Sequence, residues 1–329
     1  MLITIKDIAE MANVSRTTVS RVINNSGYVS EEVRKRVEKI IEETGYMPNV
    51  NAKSLRTKQS KVIGVILPTI QTETPSRVVT GLSRELSKHG YQILLANTDH
   101  DVKKEYEYLD LLKVRQVDGI VLIATNTEPK LIEKLKQMDI PLVMIGQEAE
   151  DIVHVAYDDY HVARDLTRLL IEKGHQKIGF IGVTETDRAV GYLRKKGFLD
   201  EMKANGLAVE RNWIQQGIFD IDSGRDAMEK IITYSRERPT AILAVTDRLA
   251  IGAMSYLKNN NYRIPEDMAL VGIGASEISR YIDPPLTTVD YQNEKAGEEA
   301  AKLILNQINS KPFKKKIVLD YRLIVRDSV

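Results

Sequence analysis

From residue 61 onward the sequence alternates short apolar runs with amphipathic stretches, and it does so twice over. Runs such as VIGVIL at 62–67, GIVLI at 119–123 and LVMI at 142–145 have no polar face. Strands of that kind must be covered on both sides, which calls for a mostly parallel sheet with helices on each face. Strands are expected at 62–67, 92–96, 119–123 and 142–145. After a short strand at 153–156 the pattern restarts with 178–182, 214–218, 241–245 and 269–273. Two successive α/β units of about 100 to 130 residues each predict a two-lobed body with a ligand cleft between the lobes. A helix at 293–308 and a strand at 316–325 close the chain. The expected division is a first lobe of 61–158 plus 291–329 and a second of 159–290.

The first sixty residues read as short helices with no strand pattern. Thr4 is placed to cap a helix from Ile5 to Met11, with Asp7 completing a capping box, and Ile5, Ile8, Ala9 and Ala12 share one side. Ser15 caps a second helix to Ile23 that turns Val19, Val22 and Ile23 inward and leaves Arg16, Thr17, Ser20 and Arg21 outside. A third starts at Ser30, buries Val33, Val37, Ile40 and Ile41, and stops at Gly45. A helix presenting Arg16, Thr17, Ser20 and Arg21 near its N-terminus across a tight turn suits the DNA major groove. There arginine grips guanine O6 and N7, and threonine offers a hydroxyl or a methyl to thymine. Protein-binding three-helix modules are the alternative. Residues 1–60 hold ten basic against seven acidic side chains, while the rest of the chain is net −2, so only the head is suited to a polyanion.

Composition excludes several classes. With 329 residues, 43% hydrophobic and 28% charged, the chain is long enough for two or three folded domains and far from a disordered composition. It has no cysteine, so disulfides, thiolate metal sites and thiol nucleophiles are absent. Met1 to Ala9 lacks a signal-peptide pattern, and no apolar run approaches the roughly 20 residues of a membrane span. The expected location is the cytoplasm, with no membrane partner. The five histidines show no metal-ligand spacing, and no Gly-x-Ser-x-Gly elbow or phosphate loop is present, so no catalytic residue, metal or cofactor is assigned. Gly272-Ile273-Gly274-Ala275-Ser276-Glu277 fails as a dinucleotide fingerprint because Glu277 stands at the third glycine. Asp158 and Asp159, adjacent in the chain, are read as helix caps, and Lys314 to Lys316 as a solvated run.

Thr4-Ile5-Lys6-Asp7-Ile8-Ala9, Val14-Ser15-Arg16-Thr17-Thr18-Val19-Ser20-Arg21-Val22-Ile23-Asn24 and Gly45-Tyr46-Met47-Pro48-Asn49, followed by Ala52 and Leu55, carry a specific pattern. Together they resemble the DNA-binding head and hinge of the lactose/galactose repressor (LacI/GalR) family, and the body resembles that family's sugar-binding core. The resemblance implies an α/β protein: a helix-turn-helix headpiece at 1–48, a hinge helix and linker at 49–60, and a two-lobed core of the type I periplasmic-binding-protein kind at 61–329. It implies a homodimer on a pseudopalindromic double-stranded operator. The DNA contacts would come from Thr4, Ser15, Arg16, Thr17, Ser20, Arg21, Asn24, Tyr46, Asn49, Ala52, Lys53 and Leu55. Arg16 and Thr17 stand where members differ most, so the operator sequence does not transfer. A two-turn hinge is too short to be stable alone and would fold only with its partner on DNA, where Leu55 would wedge into the central step. Lys53 stands where many members have arginine, which leaves a phosphate contact and removes a bidentate one.

The resemblance also marks an effector pocket: Gln147, Arg188, Arg194, Phe219, Thr246, Asp247 and Gly274. Arg194 matches an arginine that binds ligand hydroxyls or carboxylates, and Phe219 an aromatic that stacks on a sugar. Gly274 is a departure, because many members carry a sugar-gripping aspartate there. Sucrose- and trehalose-type repressors share that absence, so the expected effector is a disaccharide or its phosphate, with Arg188, Arg194 or Arg77 as partner for the phosphate. A catabolite-control regulator with a phosphorylated carrier protein as corepressor and, more remotely, a sugar-processing α/β enzyme are the alternatives. No leucine heptad follows the last strand, which argues against tetramers of the lactose-repressor kind.

Overall fold

The computed structural model describes residues 3–46 and 59–329. It divides into two compact units, Met1–Ser60 and Lys61–Val329. The expected hinge positions Asn49, Ala52, Lys53 and Leu55 lie outside the described residues.

In the first unit, α1 (Ile5–Met11), α2 (Arg16–Ile23) and α3 (Glu31–Thr44) pack around Ile8, Ala9, Ala12, Val19, Val22 and Val37. The capping box forms: the Asp7 carboxylate accepts from Thr4 N at 2.8 Å, and Asp7 N donates to Thr4 Oγ1 at 3.4 Å. These bonds hold the Asp7 carboxyl below its ordinary range. Ser15 Oγ accepts from Thr18 N at 3.1 Å and starts α2. Gly45 ends α3 at φ 61°, a left-handed conformation that glycine adopts without strain. On α3 only Val37 is fully buried; Val33, Ile40 and Ile41 sit at the rim of this small core.

The second unit contains a six-stranded sheet, a four-stranded sheet and a two-stranded one. The first lobe orders β1 (Val62–Leu67), β2 (Gln92–Asn97), β3 (Gly119–Ile123), β4 (Leu142–Ile145), β5 (His154–Tyr157) and β11 (Lys316–Leu319) as β11-β5-β4-β3-β1-β2, all parallel. Side chains of a strand alternate between faces, so Ile63, Val65 and Leu67 enter one core and Ile66 the other. Helices α4 (Glu73–Ser87), α5 (Val102–Val114) and α6 (Pro129–Lys136) connect these strands. Strand β2 departs from full coverage: it is the sheet edge, and Leu94 and Leu95 are 42% and 49% exposed.

The second lobe orders β6 (Ile178–Gly182), β7 (Ile214–Gln216), β8 (Ala241–Ala244) and β9 (Ala269–Val271) as β7-β6-β8-β9. Its helices are α7 (Asp159–Glu172), α8 (Arg194–Ala204), α9 (Ile221–Tyr234) and α10 (Asp247–Asn259). The chain crosses between lobes after β5, again between β10 (Thr288–Asp290) and α11 (Asn293–Ile308), and a third time after β11. That third crossing corrects the expected division. The anticipated strand at 316–325 is two strands, and the second, β12 (Arg322–Ile324), pairs antiparallel with β10. Ser328 then donates to Leu270 O at 2.6 Å, so the last residues belong to the second lobe.

Helices α4 and α11 touch backbone to backbone. A Cβ on Gly297 would lie 2.0 Å from Val78 O, and one on Gly81 1.9 Å from Glu294 O. Gly297→Ala must therefore push these helices apart, and overpacking of this kind costs about 1–3 kcal/mol. Denaturant unfolding of the variant should show a lower midpoint; an unchanged midpoint would contradict the close approach.

Candidate functional site

Between the lobes lies a cavity of about 410 Å³, within the size range of small-molecule sites. Its walls are largely apolar, with Pro75, Val78, Ile123, Ile145, Ile251 and Ile273 among them. The polar groups come from strand ends and helix starts, where parallel α/β sheets place ligands.

Arg194, at the start of α8, is 5% exposed and spends its guanidinium inside the protein. Its Nε donates to Asp159 Oδ1 at 2.6 Å, its Nη1 donates to Val245 O, and the group lies 5.2 Å over the Tyr291 ring. Tyr291 OH donates to the same Asp159 oxygen at 2.8 Å. The two adjacent aspartates thus divide their roles. Asp158 caps α7, accepting from His161 N at 3.1 Å, while Asp159 is no cap and carries the buried ion pair.

Asp187 sits opposite Gln147. It caps a π-helical segment, Arg188–Leu193, whose wide turn is the kind often found at functional sites. Its Oδ1 accepts from Val190 N at 2.9 Å and from Gln147 Nε2 at 2.7 Å across the cleft. Its Oδ2 is buried in the cavity wall without a partner, as are Asn293 Nδ2 and Arg248 Nε. Burial raises the Asp187 carboxyl to about 6. On the rim, His100 of the first lobe stacks on Phe219 of the second, with ring centroids 5.5 Å apart and planes within 8°.

Of the seven expected pocket residues, Gln147, Arg194, Phe219, Thr246, Asp247 and Gly274 line the cavity. Arg188 does not: it is exposed and lies 5.6 Å over the Tyr192 ring. The turn between it and Arg194 is π-helical, and Asp187, which caps that turn, lines the wall instead. The helix after β8 is capped by Thr246, which accepts from Leu249 N at 3.2 Å, and not by Asp247. Asp247 fills both its oxygens with protein donors, Thr288 Oγ1 on one and Ser276 N and Oγ at 2.7 and 2.9 Å on the other. Burial raises its carboxyl pKa. Gly272 makes room for it, since a Cβ on Gly272 would lie 2.6 Å from Asp247 Oδ1. Asp159, Asp187, Arg248 and Asn293 escaped the sequence reading; only an Asn at a helix start and the doubled Asp158-Asp159 hinted at two of them.

In the first unit Thr4, Ser15, Arg16, Thr17 and Arg21 are exposed, while Ser20, Asn24 and Tyr46 are half-buried. Asn24 Nδ2 donates to Ser20 O at 2.7 Å and closes α2. Lys6, Lys35 and Lys39 each face a glutamate one turn away, whereas Arg16 and Arg21 have no ion pair among the described residues. Exposed arginines without an ion pair, one in the first turn of α2 and one in its last, are what a phosphate-lined groove attracts.

A head with a groove-fitting helix joined to a two-lobed binding core defines a ligand-responsive DNA-binding regulator. Residues 4–49 match the model for bacterial regulatory proteins of the lacI family, and residues 167–329 that for a periplasmic binding protein-like domain. The chain is 33% identical over 333 residues to the HTH-type transcriptional repressor PurR of Vibrio vulnificus, covering 99% of this chain and 98% of that one. It is 31% identical over 331 residues to the regulator RegA of Clostridium saccharobutylicum, covering 100% and 99%. Among solved structures, a complex of the regulator CelR with cellobiose aligns at TM-score 0.76 and 28% identity over 99% of this chain and all of that one. The lac repressor dimer on its operator aligns at TM-score 0.90 and 24% identity over 100% and 99%, a likeness of fold. The chain belongs to the lacI family; it is a DNA-binding transcriptional regulator and not an enzyme. Among the described residues no helix is long and apolar enough to cross a membrane.

Asp187 yields a pH prediction. A folded-state pKa of about 6, above the ordinary carboxylate value, favours the folded protein at low pH, and that contribution is lost as pH rises through 6. Asp187→Asn removes the buried charge, so the variant should gain stability over the parent at pH 8. The gap should close below about pH 4, where the parent's carboxyl is protonated in both states. Urea titrations at the two pH values check this, and an equal gap at both would contradict it.

Proposed function

We propose that this chain represses a carbohydrate-utilisation operon as a cytoplasmic homodimer on a pseudopalindromic operator and that its effector is an uncharged disaccharide. The observation that carries the effector class is the set of unfilled polar atoms in an apolar-walled cavity: Asp187 Oδ2 accepts, whereas Asn293 Nδ2 and Arg248 Nε donate. Hydroxyl groups do both, so a polyol suits a cavity lined by these three residues, and the face of Phe219 offers a surface for the apolar side of a sugar ring. The similarity to a regulator solved with cellobiose supports a disaccharide over a monosaccharide.

The expected phosphate partners do not favour a phosphorylated effector. Arg77 is paired with Glu73 at 3.1 Å, Arg188 lies outside the cavity, and Arg194 is committed to Asp159. One observation supports a second reading, a sugar phosphate or sugar acid: Arg248 lines the cavity without an ion pair among the described residues. In the head, α2 with Arg16, Thr17 and Arg21 would lie in the major groove, with Thr4, Ser15, Ser20, Asn24 and Tyr46 around it. The hinge residues Asn49, Ala52, Lys53 and Leu55 would enter the minor groove. Apolar residues left exposed on the edge strand β2, Leu94 and Leu95, support pairing of two chains through the first lobe.

A thermal-shift screen against mono- and disaccharides, with phosphorylated and acidic forms included, tests the effector. A ligand at 100 times its Kd adds about 2.7 kcal/mol to the native state. A shift with a neutral disaccharide that also changes operator affinity is the expected result; a shift confined to phosphorylated or acidic sugars selects the second reading. For the DNA assignment, Arg16→Ala should cost about 1–3 kcal/mol of base discrimination in operator-binding titrations. Leu55→Ala should weaken operator binding with sugar affinity unchanged. Intact operator binding in both variants would contradict the docking.

A further inference from the structure

We propose that Gln147 is the residue that holds the two lobes closed, acting as a clasp on Asp187 and Ala189 and not as a ligand contact. The clasp rests on the same cleft as the effector reading but requires no ligand, so either can fail without the other.

Gln147 follows β4 in the first lobe and is 3% exposed. Both ends of its amide are bonded to the second lobe: Nε2 donates to Asp187 Oδ1 at 2.7 Å, and Oε1 accepts from Ala189 N at 3.1 Å. The donor and acceptor of a side-chain amide are fixed relative to each other, so this pairing holds at one separation of the lobes only. Both partners belong to the cap and first turn of the π-helical segment, which Asp187 itself organises through Val190 N. If the lobes separate, both ends of the Gln147 amide and the Ala189 N–H lose these partners, while Asp187 Oδ1 keeps only Val190 N. Two rim contacts also span the cleft. One is the exposed bond from Glu277 N to the Glu73 carboxylate at 2.9 Å, and the other is the His100–Phe219 stack. Of the three, the Gln147 contact is the buried one with two bonds, so it sets closure and the rim contacts follow. The charged groups acting on Asp187 are Arg194 of α8 and Asp159 of α7, while β4 presents the uncharged Gln147.

Hydrogen exchange of the full-length chain without ligand tests the clasp, read at the Glu277 amide, which Gln147 does not touch but which donates to the Glu73 carboxylate across the cleft. Gln147→Ala should lower the protection factor there at least tenfold while the thermal midpoint stays near that of the parent. Gln147→Glu gives a signature that a packing role would not. At pH 8 the introduced carboxylate repels Asp187 and protection falls, whereas at pH 5 a proton shared between the two carboxyls restores the bond and the protection. Should Gln147→Ala fold poorly, the near-isosteric Gln147→Glu carries the test alone. Glu277 protection equal to the parent's in Gln147→Glu at both pH values would overturn the proposal, as would protection lost equally at both.

Discussion

The buried ion pair between Arg194 and Asp159 is the interaction on which the cleft depends. Asp159 opens α7, immediately after the first crossing between lobes, and Tyr291, which donates to the same oxygen, lies at the second. Arg194 adds the Val245 carbonyl at the end of β8 and the Tyr291 ring. One guanidinium therefore ties two crossing strands to the floor of the second lobe. Removing one partner of such a pair strands the other as a buried uncompensated charge, which costs about 3–5 kcal/mol. The pair is better understood as fixing geometry than as adding net stability, because desolvating both charges offsets much of their attraction.

Around that fixed floor the cavity divides its polar atoms into two sets. Asp247, Thr246, Arg194 and Gln147 are occupied by protein partners and shape the wall. Asp187 Oδ2, Asn293 Nδ2 and Arg248 Nε are left without partners. Buried polar groups in folded proteins are nearly always satisfied, so atoms left open in a cavity wall point to what fills the cavity. At Gly274 the backbone, at φ 138°, disfavours any side chain, although a Cβ there would meet Asp247 Oδ2 only at an ordinary 3.7 Å.

The head and the core solve different problems with different chemistry. In the head, a core of six buried small and branched side chains suffices to hold three helices, and the surface left over carries Arg16 and Arg21, exposed and without an ion pair among the described residues. In the core, one large hydrophobic cluster holds the second lobe and two more lie in the first, with the lobes joined by three crossings. In the proposed regulator any coupling between cleft and head is reciprocal: whatever a ligand would do to operator affinity the operator would do to ligand affinity.

Much of the fold was legible in the sequence because local rules decide it. The capping box at Thr4 and Asp7, the Ser15 cap, the glycine stop at Gly45 and the apolar strands 62–67, 119–123 and 178–182 follow from hydrogen-bond satisfaction and periodicity within a few residues. Gln147, Arg194 and Phe219 could be placed at the cleft from strand ends and from resemblance. What those residues do there was not legible. Whether Arg194 faces a ligand or Asp159, whether Gln147 contacts a ligand or the opposite lobe, and whether Arg188 or Asp187 lines the wall depend on residues 35 to 132 positions away or on a π-helical turn. The same holds for the tail, where one strand pattern split into β11 in the first lobe and β12 in the second. Periodicity reports which residues are buried, but the partner that a buried polar atom finds is set by how distant segments meet, and that only the tertiary structure decides.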